Sequence, residues 1–277
     1  MKISIISTVL NEEKNIKWFV ESLLKQSLKP EEIIFVDGGS SDRTYEILKD
    51  MAKKNKILKV FQKKGFNISQ GRNYAISKAK GSVIASVDAG GEYDKNWLRN
   101  LSQGFNGMVS FGVDKPRVRN EFQKVLARKV LHKNVCGSSR NMMFTKKAWK
   151  DAGGYPKDME IGEDSLYDER LKDAGYKISR VDDAICLWEM RESLEEVRKQ
   201  HYKYGLWDGI ALRKHKKLRL KMKVFVLVMS LLVPLWPFGW VISKFSLSFR
   251  IDFVRRFAFL KGFWRGYFNM EKNYNKP

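Results

Sequence analysis

The sequence predicts an α/β protein: a mostly parallel sheet flanked by helices, with a basic and apolar helical segment after it. Three observations carry this reading. Short apolar runs alternate with amphipathic stretches from Ile3 to Val87. Two of those runs end in an aspartate, and one of these is followed by a glycine turn into a helix. The positive charge gathers near the end of the chain. The 277 residues carry a net charge of +22, and Glu196 to Pro277, with 18 basic and 4 acidic residues, hold +14 of it. Two domains follow, 1–212 and 213–277.

The elements read as follows. Ile3–Thr8, Ile-rich and bounded by polar residues, is a buried strand. Ile16, Phe19, Val20, Leu23 and Leu24 fall at helical i, i+3, i+4 spacing and make 15–28 a helix. Ile33–Val36 is a second strand, 42–54 a helix and Leu58–Phe61 a third strand. Ser69–Lys80 is a helix with Gly81 as its C′ residue, and Val83–Val87 is a fourth strand. Helices between consecutive strands imply right-handed crossovers and a parallel sheet. Later, Ile185–Trp188 reads as a strand and Ser193–Leu212 as a helix.

Composition excludes several classes. With 43% hydrophobic and 30% charged residues the chain is not disordered. Cys136 and Cys186 support neither a disulfide framework nor zinc spacing, and they fit buried thiols in a reducing compartment. Met1 to Glu13 does not read as a secretory signal, because acids follow a short apolar run at once.

In a parallel α/β sheet the ligand lies beyond the carboxyl ends of the strands. After the first strand come Thr8, Leu10 and Glu12; after the second, Asp37-Gly38-Gly39-Ser40-Ser41-Asp42; after the fourth, Asp88-Ala89-Gly90. This is a nucleotide-site layout. Gly38 and Gly39 permit a tight turn, Asp37 can accept from ribose or base donors, and Asp42 caps the next helix. A carboxylate at the end of a buried strand needs a partner, so Asp88 is a candidate for a hard divalent cation, Mg²⁺ or Mn²⁺, that bridges a diphosphate.

With these loops in order, the chain resembles the family 2 glycosyltransferases of GT-A (Rossmann-like) fold over roughly Lys2 to Leu212. The likeness rests on Ser4 to Glu13, on Val36 to Thr44, on Gly71-Arg72-Asn73-Tyr74-Ala75-Ile76 and on Asp88-Ala89-Gly90. It continues through Ser139 to Phe144, Gly153-Gly154-Tyr155-Pro156 and Gly162-Glu163-Asp164-Ser165. The resemblance implies a UDP- or GDP-sugar donor, bound by Thr8, Leu10, Glu12, Asp37, Gly38, Arg72, Asp88 and Ala89. It implies a metal held by Asp88, Asp164 as catalytic base, Glu163 as its positioning neighbour, and inversion at the anomeric carbon. Glu163 and Asp164 also suit the N-terminal turn of a helix.

The chain departs from the family pattern. Gly90 stands where a second acid is usual, and Glu92, Asp94 or the distal His201 are candidates to compensate. A partly buried polar position on a helix is the plainer reading of His201, and His132 and His215 carry less signal still. No Gln-x-x-Arg-Trp motif occurs near Arg198 to Gly205, which points to transfer of one sugar rather than polymerisation.

Seven basic residues from Arg213 to Lys223 precede the uncharged run Val224–Ser243, whose length suits a bilayer span. Pro234 and Pro237 interrupt it and both flanks are basic, which favours a re-entrant or interfacial segment at the cytoplasmic face of the cell membrane. Phe249, Phe253, Phe257, Leu260 and Trp264 share one face of a basic helix that follows. The expected partners are an anionic membrane and a lipid-linked or saccharide acceptor. Three other readings compete: a polyprenyl-phosphate sugar synthase, an inactive nucleotide-sugar-binding relative, and a nucleic-acid binder. The last is disfavoured because the basic run lacks interleaved stacking aromatics.

Overall fold

The computed structural model describes residues 1–130, 138–215, 220–231, 240–241 and 246–268. The chain divides into two compact units, Met1–Arg117 with Lys133–Glu189, and Val118–His132 with Met190–Pro277. The sequence boundary at 212 and 213 falls inside a helix that ends at His215.

The first unit is built on an eight-stranded sheet. Its elements are β1 (Ile3–Val9), α1 (Ile16–Leu24), β2 (Glu32–Asp37), α2 (Thr44–Lys54), β3 (Leu58–Gln62), α3 (Ile68–Lys78) and β4 (Val83–Val87). Then come β5 (Gly91–Tyr93), α4 (Trp97–Gln103) and β6 (Val109–Arg117). The second unit contributes α5 (Glu121–Val130), and the first resumes with β7 (Asn141–Thr145), α6 (Lys146–Asp151), α7 (Glu163–Asp173) and β8 (Ile178–Glu189). The strand order is β3-β2-β1-β4-β7-β6-β8-β5. The first four strands pair in parallel, as the sequence predicts, and β7 then runs antiparallel to both β4 and β6.

Alternation explains why the central strands carry apolar residues on both faces. Ile5, Ile33 and Phe35 pack with Phe19, Leu23 and Trp97 on one face of the sheet. Ile6, Ile34 and Val36 pack with Ile76, Phe144 and Tyr167 on the other. Both faces are covered, so neither needs polar positions.

Two local expectations change. Helix α3 ends at Lys78 with Ala79 as C-cap, so Gly81 is not its C′ residue. Gly81 lies against β1 instead, where an added Cβ would sit 2.7 Å from Lys2 O and 2.8 Å from Ser4 N. The N-cap of α2 is Arg43, with no side-chain cap bond, and Asp42 stands one residue before it. Its carboxylate accepts from Thr44 N at 3.0 Å and from Glu13 N at 3.1 Å, tying α2 to the turn after β1.

The second unit holds α5, α8 (Leu194–His215), α9 (Leu220–Leu231) and α10 (Leu247–Phe268). Helices α8 and α10 cross closely because glycines meet on both. A Cβ on Gly205 or Gly209 would strike Phe259 O or Phe263 O, and one on Gly262 or Gly266 would strike Tyr202 O or Leu206 O. Small residues four apart let two helix backbones approach this far. The buried face of α10 is Ile251, Ala258, Phe259, Leu260, Gly262, Phe263 and Gly266. Leu260 therefore faces inward, contrary to the sequence reading, while Phe249, Phe257 and Trp264 are exposed. Val226 of α9 packs against Phe259, Leu260 and Phe263, whereas Val224, Leu227, Val228 and Leu231 are exposed. Among the described residues no helix is long and apolar enough to cross a membrane. His132, Cys136, Pro234 and Pro237 lie outside the described residues, as does part of Val224–Ser243.

Candidate functional site

Strand β1 lies between β2 and β4, so the loops after these three strands converge at one edge of the sheet. Register sets Val9 level with Asp37. Asp37 is fully buried, and its carboxylate accepts from Gly39 N and Ser40 N at 3.0 Å, from Gln62 Nε2 at 3.0 Å and from Ser40 Oγ. These bonds hold the Gly38–Ser41 turn open beside Asn11. Asn11 takes the left-handed conformation, φ 56°, and its side chain accepts from Ser41 N at 2.9 Å. Gly38 passes close to Phe66 O, leaving no room for a Cβ. Leu10 is 53% exposed beside this turn. Thr8 packs directly over Gly71 of α3, at the end of β1. Glu12 N donates to Thr44 Oγ1 at 2.7 Å, and burial together with the charges of Asp42 and Asp88 raises the Glu12 carboxyl above its ordinary value.

Arg72 is the centre of the site. Helix α3 presents it inward, 1% exposed, from a turn capped reciprocally by Asn67 and Gln70. Its Nη2 donates to Asp88 Oδ1 and its Nη1 to Glu163 Oε1, each at 2.6 Å, and the guanidinium lies over the Tyr155 ring at 5.3 Å. Among the described residues its Nε has no hydrogen-bond partner. Burial opposes the Arg72 charge, but the two carboxylates outweigh it and hold the group protonated. Asp88 is 28% exposed, whereas Glu163 is nearly sealed off. Burial and the adjacent Asp164 push Glu163 up to about 7 against the pull of Arg72. Asp164 is half-buried in the first turn of α7, behind Gly162 at φ 80°, and accepts from Ser165 N at 2.7 Å. One guanidinium thus joins a strand-end carboxylate to the start of α7, whose Glu163 lies 91 residues beyond Arg72.

Asn73 fixes the loop that leads to α7. Its Oδ1 accepts from Tyr155 N at 2.9 Å and Trp149 Nε1 at 2.8 Å, and its Nδ2 donates to Tyr155 O at 2.9 Å. Gly153 and Gly154, at φ 71° and 72°, supply the left-handed turn that this requires.

Sequence reasoning missed Asp114. It is a buried acid on β6, bonded to Asn141 Nδ2 at 3.3 Å and facing Arg140 Nε at 3.7 Å. Burial raises its carboxyl, and the charge of Asp88 adds to the rise. Arg140 in turn lies over Trp188 at 5.3 Å. No motif surrounds Asp114, and its only sequence signal is an acid inside an apolar strand.

The donors for a divalent cation are few. Ala89 is buried beside Asp88, and Gly90 offers no side chain. Glu92 is paired with Arg117, which also binds Glu189 at 3.2 Å. Asp94 is exposed and accepts from Asn96 N at 2.8 Å. His201 cannot serve in this arrangement: Nδ1 bonds Val197 O and Nε2 accepts from Arg255 Nε, both at 2.9 Å, and burial pushes the ring down to about 4. Among the described residues no three His, Cys, Asp or Glu side chains are grouped to hold a metal. Among the described residues of this loop, Asp88 fits a hard cation that keeps waters and takes phosphate oxygens.

Comparison with known proteins agrees with this geometry. Residues 4–152 match the glycosyl transferase family 2. The chain is 38% identical over 86 residues to the glycosyltransferase EpsJ of Bacillus subtilis (strain 168), covering 31% of this chain and 25% of EpsJ, so it spans about a quarter of that relative's length. It is 24% identical over 262 residues to the glycosyltransferase AglE of Haloferax volcanii, covering 85% of this chain and 81% of AglE. Its fold is similar to the mannosyltransferase PcManGT of Pyrobaculum calidifontis, solved with GDP-Man and Mn²⁺. The TM-score is 0.72 at 15% identity, over 98% of this chain and 88% of that one. The chain belongs to glycosyl transferase family 2 and has a GT-A fold.

Proposed function

We propose that this family 2 glycosyltransferase moves one sugar from a UDP- or GDP-sugar to an acceptor hydroxyl, with inversion at the anomeric carbon. One observation carries the reading: Arg72 bridges Asp88, at the donor end of the sheet, to Glu163, beside Asp164. The solved neighbour with GDP-Man and Mn²⁺ supports a nucleoside-diphosphate donor and a divalent cation.

The turn that Asp37 organises, with Gly38, Thr8, Leu10 and Glu12 around it, receives the nucleoside. The role of Asp37 is to shape that turn, since its oxygens are already engaged within the protein. Asp88, next to Ala89, would hold Mg²⁺ or Mn²⁺, which would supply Lewis-acid stabilisation of the leaving diphosphate. Asp164 takes the proton of the acceptor hydroxyl as its oxygen bonds to the anomeric carbon. The bond to the diphosphate oxygen breaks on the opposite side, which gives inversion. Glu163, pinned by Arg72, fixes the turn that presents Asp164.

The exposed stripe of Val224, Leu227, Val228 and Leu231, flanked by basic segments, supports docking on the anionic cytoplasmic face of the cell membrane and a lipid-linked acceptor. A lipid phosphate acceptor is already ionised, so Asp164→Asn separates the two acceptor classes: it cripples transfer to a hydroxyl and spares transfer to a phosphate.

The test is hydrolysis and binding of a panel of nucleotide sugars with Mn²⁺, Mg²⁺ or chelator, in wild type and Asp88→Ala. Release of one nucleoside diphosphate, lost with chelator and in the variant, supports the reading. Failure to bind any nucleotide sugar overturns it.

A further inference from the structure

We infer that Arg140, seated on the Trp188 ring and held by the buried Asp114, binds an anionic group of the acceptor, so that the second substrate carries a phosphate or carboxylate. The inference rests on the transferase reading above and names the chemical class of its acceptor.

Place, mounting and cost lead there. Asn141, at the start of β7, is level with Val87 on β4, which sets Arg140 beside Asp88. Tyr93 ties the two backbones together: its hydroxyl accepts from Asp88 N at 3.0 Å and donates to Arg140 O at 2.6 Å. On β8, Trp188 is level with Gly91, and Glu189 N donates to Gly90 O at 3.4 Å. Arg140 and Trp188 thus border the turn from Asp88 to Gly91. A Cβ added at Gly90 meets nothing within 4 Å, so that turn faces open space. The two guanidiniums at this end of the sheet are mounted differently. Arg72 is 1% exposed and bonded to two carboxylates at 2.6 Å. Arg140 keeps 30% of its side chain exposed, meets Asp114 only by charge, at 3.7 Å through Nε, and lies over the Trp188 ring at 5.3 Å. A guanidinium so seated loses little freedom on binding, and its planar fork matches a carboxylate or phosphate bidentately. Asp114 is the independent observation. It is 10% exposed, and burial raises its carboxyl. Its Oδ1 accepts from Asn141 Nδ2 at 3.3 Å, and Asn141 Oδ1 accepts from Trp97 Nε1 at 2.6 Å, which anchors the acid to the core. An asparagine could accept that bond without the cost of a buried charge. What the acid adds is a fixed position for the Arg140 charge, and stability given up in that way serves recognition rather than packing.

The experiment is calorimetric titration of the full chain, first with UDP and GDP, then, saturated with whichever binds, with two anionic probes and their neutral counterparts. The pairs are geranyl phosphate against geraniol and methyl β-D-glucuronide against methyl β-D-glucoside. Wild type is expected to bind at least one anion roughly tenfold more tightly than its neutral counterpart. The phosphate points to a lipid phosphate as the source, the glucuronide to an acidic saccharide. Arg140→Gln is expected to lose at least roughly tenfold of that affinity while its nucleotide affinity stays within about twofold of wild type, which also shows that the variant is folded. Asp114→Asn is expected to weaken the same probe while melting at or above the wild-type temperature. A fall in that melting temperature, or unchanged probe affinity, overturns the positioning role of Asp114. Failure to bind either anion, equal affinity for the neutral counterparts, or anion binding that survives Arg140→Gln overturns the inference. So does a matching loss of nucleotide affinity in Arg140→Gln, which would put the guanidinium on the donor diphosphate instead. In each of these cases nucleotide binding by wild type leaves the transferase reading standing, whereas no nucleotide binding at all overturns both.

Discussion

Replacing Arg72 with methionine removes a buried charge but leaves both of its carboxylates. Contacts of 2.6 Å put each pair of charge centres roughly 4 Å apart, worth about 4 kcal/mol per pair at an effective dielectric near 20. Desolvation of the three groups cancels part of that gain, and breaking a buried pair from one side typically costs about 3–5 kcal/mol. The two carboxylates do not share this cost equally. Asp88 is 28% exposed and can rehydrate, whereas Glu163 is 7% exposed and cannot. Most of the penalty therefore sits on Glu163, which must stay charged without a partner or bind a proton. Equilibrium urea unfolding of Arg72→Met, Glu163→Gln and the double variant measures it. Glu163→Gln keeps an acceptor for Arg72 and strands no charge, so a loss of about 1 kcal/mol is expected. Arg72→Met is expected to lose about 3–5 kcal/mol, and the double variant to regain about 2 of them. An Arg72→Met loss below about 1 kcal/mol, or strict additivity of the two changes, would refute the reasoning.

Three further predictions follow from particular contacts. His201 titrates near 4 in the folded chain against 6.5 in a free one, so the unfolded state binds more protons between those values. Its contribution, about 3 kcal/mol, is complete above pH 6.5 and is lost as pH falls towards 4. The difference in melting temperature between wild type and His201→Gln should change with pH across that window; a constant offset contradicts the assignment. Gly81→Ala drives a methyl into the backbone of Lys2 and Ser4 and should cost about 1–3 kcal/mol, while Gly90→Ala should stay within about 0.5 kcal/mol of wild type, both read by urea unfolding. Gly266→Val should part α8 from α10, since Leu206 O already lies 2.0 Å from where its Cβ would be, and faster hydrogen exchange confined to those helices would report it.

The part of the fold that could be read from sequence is the part governed by local rules. Strands β1, β2 and β4 carry apolar residues on both faces, and α1 repeats Ile16, Phe19, Val20 and Leu23 at helical spacing. Aspartates at the ends of β2 and near β4 marked the converging loops, because a buried strand end tolerates an acid only where something answers it. The antiparallel half was harder to read. β5 has three residues, too few for any period to show, and β7 (Asn141–Thr145) offers only Met142, Met143 and Phe144 in a row, a run that length alone cannot assign. The Arg72 bridge could be named only as separate motifs, since a contact between α3 and α7 is fixed by how both pack on the sheet and not by spacing in the chain.

The C-terminal helices make the same point through an error of face. Counting aromatics placed Phe249, Phe253, Phe257, Leu260 and Trp264 together on the outside of α10. Hydrophobicity does not rank faces when nearly every face carries a large apolar side chain. What ranks them is how close the partner helix must come. Gly262 and Gly266 admit the backbone of α8 at distances no side chain allows, and α8 answers with Gly205 and Gly209. The glycine stripe therefore fixes the inner face, and Leu260 goes with it. The signal was present in the sequence as Gly-x-x-x-Gly in two helices. With α8 and α10 locked in this way and Val226 turned inward, Val224, Leu227, Val228 and Leu231 have no described partner that covers them. That exposure supports the lipid-surface docking proposed above. Aspartates at Leu227 and Leu231 should release the protein from anionic vesicles in a flotation assay and leave nucleotide-sugar hydrolysis unchanged. Unaltered flotation would return these residues to ordinary exposed apolar positions.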